Sequence, residues 1–247
     1  SAKDRHGQDP AVQTARGELM DWRDGFLVIG GKRLEYRVAG PSPATAPTII
    51  LLHEGLGCAA LWRDFPERLS QATGFGVFAY SRAGYGASDP VSLPRPLDYM
   101  TREATEVLPP LLDAIGFQRG ILMGHSDGAT IAAIFGGSVI DHRVRGLVLM
   151  APHFFAEPTG LAEIAKARDA YETTDLRAKL AKYHSNPDNA FRGWNDSWLH
   201  PDFINWNVAD VIDYWRIPVL GIQGRQDQYG TLDQIAEMET RSYAPVD

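Results

Sequence analysis

Short apolar runs alternate with longer amphipathic segments along most of this chain. The runs are continuous rather than alternating, which is typical of strands buried on both faces. The segments between them place apolar residues at helical intervals and predict helices. This order predicts an α/β fold with a mostly parallel central sheet flanked by helices. The predicted strands are 48-TIILLHE-54, 76-GVFAYSR-82, 119-RGILMGH-125, 144-VRGLVLMAP-152 and 217-IPVLGIQG-224, and the predicted helices are 59–73, 99–115, 128–139 and 232–242.

Glycine and proline positions add local detail to this pattern. Residues 26–40 form two strand-like runs around Gly30-Gly31, which predicts an antiparallel hairpin at the start of the sheet. Pro109 and Pro110 fall inside a predicted helix and should kink it, because proline lacks the backbone N–H that a helix interior uses.

Residues 153–215 interrupt the alternation with helical stretches and an aromatic-rich segment between two strands of one sheet. We therefore expect an inserted helical cap over the strand ends. Its Trp194, Trp198 and Trp206 either line an apolar pocket or attach the cap to the core. The predicted parts are a polar N-terminal extension 1–24, a core 25–152 and 216–247 whose C-terminal end we expect to be missing, and the cap 153–215.

Composition excludes several classes of function. The chain has 247 residues with 24 Lys+Arg against 31 Asp+Glu, a net charge of -7, which disfavours nucleic acid and anionic membranes as partners. A single cysteine, Cys58, cannot form an intrachain disulfide and fits a reducing compartment. No apolar run approaches the roughly 18 residues of a membrane span, and the N-terminus lacks a signal-peptide pattern. We expect a cytoplasmic protein with a small-molecule substrate, no metal and no cofactor.

The stretch 121-ILMGHSDGAT-130 carries the most specific chemistry. It has the form G-x-S-x-G, follows a predicted strand and precedes a predicted helix. Such a junction turns sharply, holds Ser126 in a strained conformation and leaves no room for a Cβ on the flanking glycines. The helix that begins near Asp127 aims N–H groups at the site, which suits a developing anion. The alternative is a serine that only caps the helix.

In this motif and three others the chain resembles the α/β-hydrolases over nearly its whole length. The segment 53-HEGLG-57 is similar to the family's oxyanion loop, which implies oxyanion N–H donors at Gly55 and Asp127. Glu54 stands where glycine is commoner, so Leu56 is the next choice for the first donor. The start of a zinc-binding H-E-x-x-H is also present, but position 57 is glycine and that interpretation fails.

The other two similar segments are 82-RAGYGASD-89, a tight turn with Arg82 as an anchor, and 224-GRQDQYG-230. The resemblance implies that Asp227 is the acid that orients a catalytic histidine. It implies no position for that histidine within the chain, because all seven histidines precede Asp227. We expect it beyond Asp247. The alternatives are substitution by His153, or an inactive relative; His125 is expected to point elsewhere on the turn and His53 to fix its loop.

The resemblance implies a serine hydrolase that cleaves a small ester or related acyl compound. A serine at this turn disfavours dehalogenase and epoxide-hydrolase chemistry, whose family members place aspartate there. Carbon–carbon bond or lactone hydrolysis and non-catalytic ligand binding stay open, as does a homodimer. The expected substrate-binding residues are Glu54, Leu56, His153, Trp194 and Trp198.

Overall fold

The computed structural model describes residues 20–247, so most of the predicted N-terminal extension lies outside the described residues. Seven strands form one sheet in the order β1-β2-β4-β3-β5-β6-β7. The first hairpin is antiparallel, β2 joins β4 antiparallel, and all other pairs are parallel, as the apolar runs predict. The strands are β1 Gly25–Ile29, β2 Lys32–Ala39, β3 Thr48–Leu52, β4 Gly76–Tyr80, β5 Gly120–His125, β6 Val144–Met150 and β7 Val219–Ile222.

Helices cover both faces of the sheet. Along β3, Ile50 and Leu52 belong to one buried cluster, whereas Ile49 and Leu51 belong to a second on the opposite face. Every residue of β3 is buried, which explains why it is apolar throughout rather than alternating. The α-helices are α1 Phe65–Thr73, α2 Tyr99–Arg102, α3 Leu108–Ala114, α4 Asp127–Ser138, α5 Pro158–Thr173, α6 Leu176–Leu180, α7 Pro187–Trp198 and α8 Asp233–Arg241.

The helix predicted over 99–115 forms as three consecutive segments. A π-helical turn, Glu103–Val107, joins α2 to α3 immediately before Pro109 and Pro110. The rings of these prolines crowd the carbonyls four residues earlier, which belong to the π-helical turn. The sequence therefore identified the place of the irregularity but not its form.

Residues 153–215 lie between β6 and β7 and contain α5, α6 and α7. Two 3₁₀ helices follow, Pro201–Asn205 and Ala209–Tyr214. The second of these packs against α4 of the core, and Trp215 just beyond it donates to the Ala133 carbonyl at 2.9 Å.

The last residues pair with β7. Val219 N–H donates to the Pro245 carbonyl at 3.0 Å, and Gly221 N–H donates to the Asp247 carbonyl at 2.8 Å. This pairing is parallel, so the chain at Asp247 runs toward the same edge of the sheet as β7. In residues 20–247 no helix combines the length and apolar character that crossing a membrane requires.

Candidate active site

Ser126 sits on the sharp turn between β5 and α4, where the motif predicted it. Its backbone has φ 53° and ψ -118°, a region that L-residues rarely adopt. Such conformations cost of the order of 1–3 kcal/mol and persist only where surrounding contacts fix them. Here Ser126 N–H donates to the Met150 carbonyl at 2.8 Å, and the Ser126 carbonyl accepts from Thr130 N–H at 3.0 Å. The prediction of a strained serine is confirmed.

The two glycines of the motif are required by close backbone approach. A Cβ on Gly124 would lie 2.2 Å from the Gly128 carbonyl oxygen. A Cβ on Gly128 would lie 2.0 Å from the Leu52 carbonyl oxygen. The turn can therefore form against β3 only with glycine at both positions.

The loop after β3 presents one peptide group in a fixed orientation. The Glu54 carbonyl accepts hydrogen bonds from His53 Nδ1 at 2.7 Å, Gly57 N–H at 3.1 Å and Arg82 Nη2 at 3.3 Å. The same peptide group carries the Gly55 N–H, which points the opposite way because the peptide is trans. Among the described residues nothing accepts that N–H, so it is available to a ligand.

A buried cation, Arg82, and a buried neutral ring, His53, hold this loop from behind. Arg82 N–H donates to His53 Nε2 at 3.0 Å, so the imidazole proton lies on Nδ1. Burial, and then the charge of Arg82, hold the pKa of His53 well below its usual value. The Arg82 guanidinium also donates to the His53 carbonyl. The structure thus gives His53 and Arg82 the loop-fixing positions expected from the sequence.

A cavity of about 250 Å³ opens at the carboxyl ends of the strands, under the inserted helices. All nine residues predicted for the site line it, so the structure brings together positions that are up to 173 residues apart in the chain. Four further residues line it that the sequence did not indicate. The predicted residues are Glu54, Gly55, Leu56, Ser126, Asp127, His153, Trp194, Trp198 and Asp227, and the additional ones are His125, Ala151, Ile164 and Tyr229.

Asp227 occupies a tight turn beyond β7 at the rim of this cavity. Its Oδ1 accepts from Tyr229 N–H at 2.8 Å and from Gly230 N–H at 3.3 Å. Its side chain is half-buried and shares the cavity with Ser126. No histidine ring of residues 20–247 hydrogen-bonds Asp227 or the Ser126 hydroxyl.

His153 lies at the buried end of the cavity and is 5% exposed. Its backbone is fixed by Thr130, whose Oγ1 donates to the His153 carbonyl at 2.7 Å. Burial lowers the pKa of the ring, although the negative charges of Asp127 and Asp227 act in the opposite direction. Neither ring nitrogen has a hydrogen-bond partner in the described part of the chain; the ring contacts Trp198 edge-on at 5.4 Å.

The Asp127 side chain anchors part of the inserted segment. This carboxylate is 1% exposed and accepts from the Tyr99 hydroxyl. That hydroxyl in turn accepts from Trp198 Nε1 at 3.0 Å. From the sequence only the Asp127 N–H could be given a role, because nothing local signals a partner 28 residues earlier.

A second contact joins the inserted segment to the loop after β3. His184 is 2% exposed; its Nδ1 accepts from Gly86 N–H at 2.9 Å and its Nε2 donates to the Leu56 carbonyl at 3.0 Å. Burial lowers the pKa of this ring. The neutral imidazole therefore bridges the Gly-rich turn and the loop that carries the Gly55 N–H.

His125 differs from expectation, whereas for Trp206 the sequence had left two alternatives open. His125 was expected to point elsewhere on the turn, but it lines the cavity, with its Nδ1 3.8 Å from Glu54 Oε2. Burial acts to raise the pKa of Glu54, and His125 and the loop backbone outweigh it and bring that pKa below its usual value. Trp206 does not line this cavity; it stacks on Phe203 at 5.0 Å and meets Trp198 edge-on.

A larger cavity, about 700 Å³, lies near the C-terminal end of α4 and is lined by residues such as Asp141, His142 and Arg216. Ligands of open α/β sheets bind beyond the carboxyl ends of the strands, and Ser126 is there. We therefore place the candidate site in the smaller cavity. In residues 20–247 no group of three or more His, Cys, Asp or Glu side chains is arranged to hold a metal ion.

Comparison with known proteins agrees with this geometry. The sequence profile of the alpha/beta hydrolase fold matches residues 47–193, more than half of the chain. Epoxide hydrolase 3 of Xenopus tropicalis is 30% identical over 130 residues, which is 52% of this chain and 34% of that protein. The chain therefore spans about a third of the length of this curated relative.

Solved structures are similar over most of the chain. The enol-lactonase from Burkholderia xenovorans LB400 superposes with a TM-score of 0.67 at 18% identity, covering 90% of this chain and 89% of the other. Naproxen esterase from Bacillus subtilis gives 0.67 at 15% identity, with 91% and 82% covered. At these identities the likeness shows the fold alone.

Proposed function

Because the chain belongs to the alpha/beta hydrolase fold family, we propose that it is a serine hydrolase that cleaves a small ester or related acyl compound. The observation that carries the proposal is the strained Ser126, with φ 53°, in one cavity with Gly55 and Asp127. A strained residue at a cavity is a reason to look for function, since its conformation is maintained at a cost. The esterase and lactonase names of similar structures are compatible with this chemistry.

In the proposed reaction Ser126 Oγ attacks the acyl carbon and its proton passes to a base. The negative oxygen of the tetrahedral intermediate accepts hydrogen bonds from the N–H groups of Gly55 and Asp127. Asp127 is the first residue of α4, so its N–H has no acceptor one turn earlier in the helix. Loss of one such donor typically costs about 10²–10³ in kcat. The leaving group takes the proton back, and water then hydrolyses the acyl-enzyme by the same route.

The base must be a neighbouring group, since a serine hydroxyl alone is a weak nucleophile. We propose a histidine oriented by Asp227, supplied by chain beyond Asp247 in the encoded protein. The geometry is favourable, because Pro245–Asp247 run beside β7 toward the edge where Asp227 lies. The alternative base among the described residues is His153.

Ser126 in place of an aspartate favours acyl transfer over the epoxide opening named for the curated relative. A second candidate function is non-catalytic capture of a small acyl compound. It is favoured by the absence, in residues 20–247, of a histidine ring hydrogen-bonded to Ser126 or Asp227. Such a binding protein would hold its ligand in the same cavity but would release it unchanged.

Hydrolysis of p-nitrophenyl butyrate by the encoded protein and by the 247-residue chain tests the two assignments, Ser126 as the nucleophile and a histidine beyond Asp247 as the base. We expect turnover by the encoded protein that Ser126→Ala abolishes and that Ser138→Ala, an exposed serine of the same helix, leaves intact. We expect residual activity from the 247-residue chain. Equal rates in the two proteins would overturn the assignment of the base, and no turnover by either would favour the binding protein.

A further inference from the structure

The proposed reaction gives no role to one buried negative charge in the cavity. It uses the N–H of Asp127 but not its carboxylate, although Asp127 lines the cavity and is only 1% exposed. Tyr99 is the only described residue that donates to this carboxylate. An asparagine oxygen could also accept that hydrogen bond, so anchoring alone does not require a negative charge beside an oxyanion site.

The cavity as a whole is acidic. Three of its lining residues are carboxylates, Glu54, Asp127 and Asp227, and none is Lys or Arg. Even a protonated His125 would leave two net negative charges. Uncompensated, these charges oppose the negative oxygen that the same cavity has to stabilise.

The nearest guanidinium groups lie behind the cavity wall rather than in it. Arg82 donates to the carbonyls of His53 and Glu54. Arg95 donates to the Ala83 carbonyl and lies 5.7 Å from the Tyr99 ring centroid. Arg82 is close enough to interact favourably with the Asp127 charge, and neither arginine lines the cavity.

Two independent features point to a cationic ligand. The His153 ring is 95% buried at the cavity and no described residue hydrogen-bonds its nitrogens, so the neutral imidazole offers an acceptor to an N–H donor. The indoles of Trp194 and Trp198 form part of the wall, and indole faces attract cations more strongly than other aromatic rings do. Because the described acidic and histidine residues are not arranged for a metal ion, the cation is organic.

We propose that the substrate of this cavity is an amine-bearing acyl compound, whose ammonium is received by the Asp127 carboxylate and the His153 ring nitrogen. The acyl part of this inference rests on the proposed function; the cationic part does not. The ammonium would offset the Asp127 charge and leave the oxyanion N–H groups to act on the carbonyl. Asp127 thereby becomes a specificity-determining residue for positively charged substrates.

Binding of benzylammonium and benzyl alcohol, followed by tryptophan fluorescence, tests the charge preference without catalysis. We expect tighter binding of benzylammonium, and a preference that falls roughly tenfold or more in Asp127→Asn. Glu54→Gln should reduce it less, because Glu54 is more exposed. Glu239→Gln removes an equal charge from an exposed position on α8 and serves as the matched control.

Sodium chloride titration of the unmodified protein keeps the test decisive if Asp127→Asn does not fold. We expect the preference for benzylammonium to persist in added salt, because a buried charge pair is screened much less than an exposed one. Equal affinities for the two probes, a preference that salt removes, or a preference unaffected by Asp127→Asn would overturn the proposal.

Hydrolysis of a matched ester pair separates this inference from the proposed function. Phenylalanine methyl ester and methyl 3-phenylpropanoate differ only in the ammonium group. An α-ammonium group itself activates an ester, so the rates of the uncatalysed reactions are the reference. We expect a kcat/KM that is higher for the first, at a pH where its amine is protonated, by more than the ratio of the two uncatalysed rates. Hydrolysis of both without a preference would overturn only the cationic inference, whereas a binding preference without hydrolysis of either would overturn only the hydrolase.

Discussion

Arg82 and His53 fix the peptide that presents the Gly55 N–H. The Arg82 N–H donates to His53 Nε2 at 3.0 Å, and His53 Nδ1 donates to the Glu54 carbonyl at 2.7 Å. The Arg82 guanidinium adds bonds to the carbonyls of His53 and Glu54. Three donors on the Glu54 carbonyl polarise its peptide and strengthen the Gly55 N–H as a donor.

Arg82→Lys should therefore impair turnover without removing the charge. A lysine ammonium cannot reproduce the planar fork that reaches two carbonyls, so the Gly55 N–H loses its fixed orientation. We expect kcat for p-nitrophenyl butyrate to fall roughly 10-fold or more with a smaller change in KM. Arg225→Lys, at an exposed position in the turn before Asp227, is the control. An unchanged kcat in Arg82→Lys would contradict this role.

Substitution of Ser126 should reveal the backbone strain. At φ 53° and ψ -118° glycine is tolerated far better than alanine. We expect Ser126→Gly to unfold with a free energy about 1 kcal/mol higher than Ser126→Ala, measured by urea denaturation. At Ser138, which ends α4, the order should reverse, because glycine weakens a helix. The same order at both positions would argue against strain at Ser126.

Gly128→Ala tests the packing of the turn against β3. The added Cβ would lie 2.0 Å from the Leu52 carbonyl oxygen, and backbone must move to admit it. We expect a loss of roughly 3 kcal/mol or more of stability, or failure to fold. Gly224→Ala is the matched control, since a Cβ there meets nothing within 4 Å. A Gly128→Ala protein as stable as the parent would show that the turn is looser than described.

Buried neutral histidines should make the protein sensitive to mild acid. The pKa values of His53, His153 and His184 are all lowered, chiefly by burial. The pKa of a histidine is near 6.5 in the unfolded chain and lower for these three in the folded chain. At pH values between the two, the unfolded chain therefore binds protons that the folded chain does not bind. The free energy of unfolding should then fall as pH falls below 6.5, by up to about 1.4 kcal/mol per pH unit for each such histidine.

His184→Gln isolates one part of this pH dependence. A glutamine can still accept from Gly86 N–H or donate to the Leu56 carbonyl, but it does not titrate. We expect the free energy of unfolding to fall less steeply between pH 6.5 and pH 5. The slope against pH should correspond to the uptake of about one proton fewer on unfolding. His142→Gln alters an exposed histidine and is the matched control. Identical slopes in the parent and His184→Gln would contradict the burial argument.

Local patterns were sufficient for the sheet, the turn at Ser126 and nine of the thirteen residues that line the cavity. Strand ends of a parallel sheet meet at one edge, so residues that follow those strands, such as Gly55, Ser126 and Asp227, could be placed together without coordinates. Trp194 and Trp198 were also placed correctly, because an insertion between strands has to lie over that edge.

Directions of side chains and contacts distant in sequence could not be predicted in this way. Asp127 meets Tyr99 and, through it, Trp198, a relationship that depends on how the inserted helices pack rather than on any periodicity. His184 likewise reaches Leu56 across 128 residues. His125 was misplaced because its rotation at the turn is set by the neighbouring Glu54 loop.

The most direct test of the account is mass spectrometry of the encoded protein after treatment with a fluorophosphonate. Such a reagent bonds to a serine hydroxyl only where a base activates it and amide hydrogens receive the phosphonyl oxygen. We predict a single adduct on the peptide that contains Ser126, lost in Ser126→Ala and retained in Ser138→Ala. No adduct on that peptide, or equal labelling of Ser126→Ala, would contradict the assignment of Ser126 as the nucleophile.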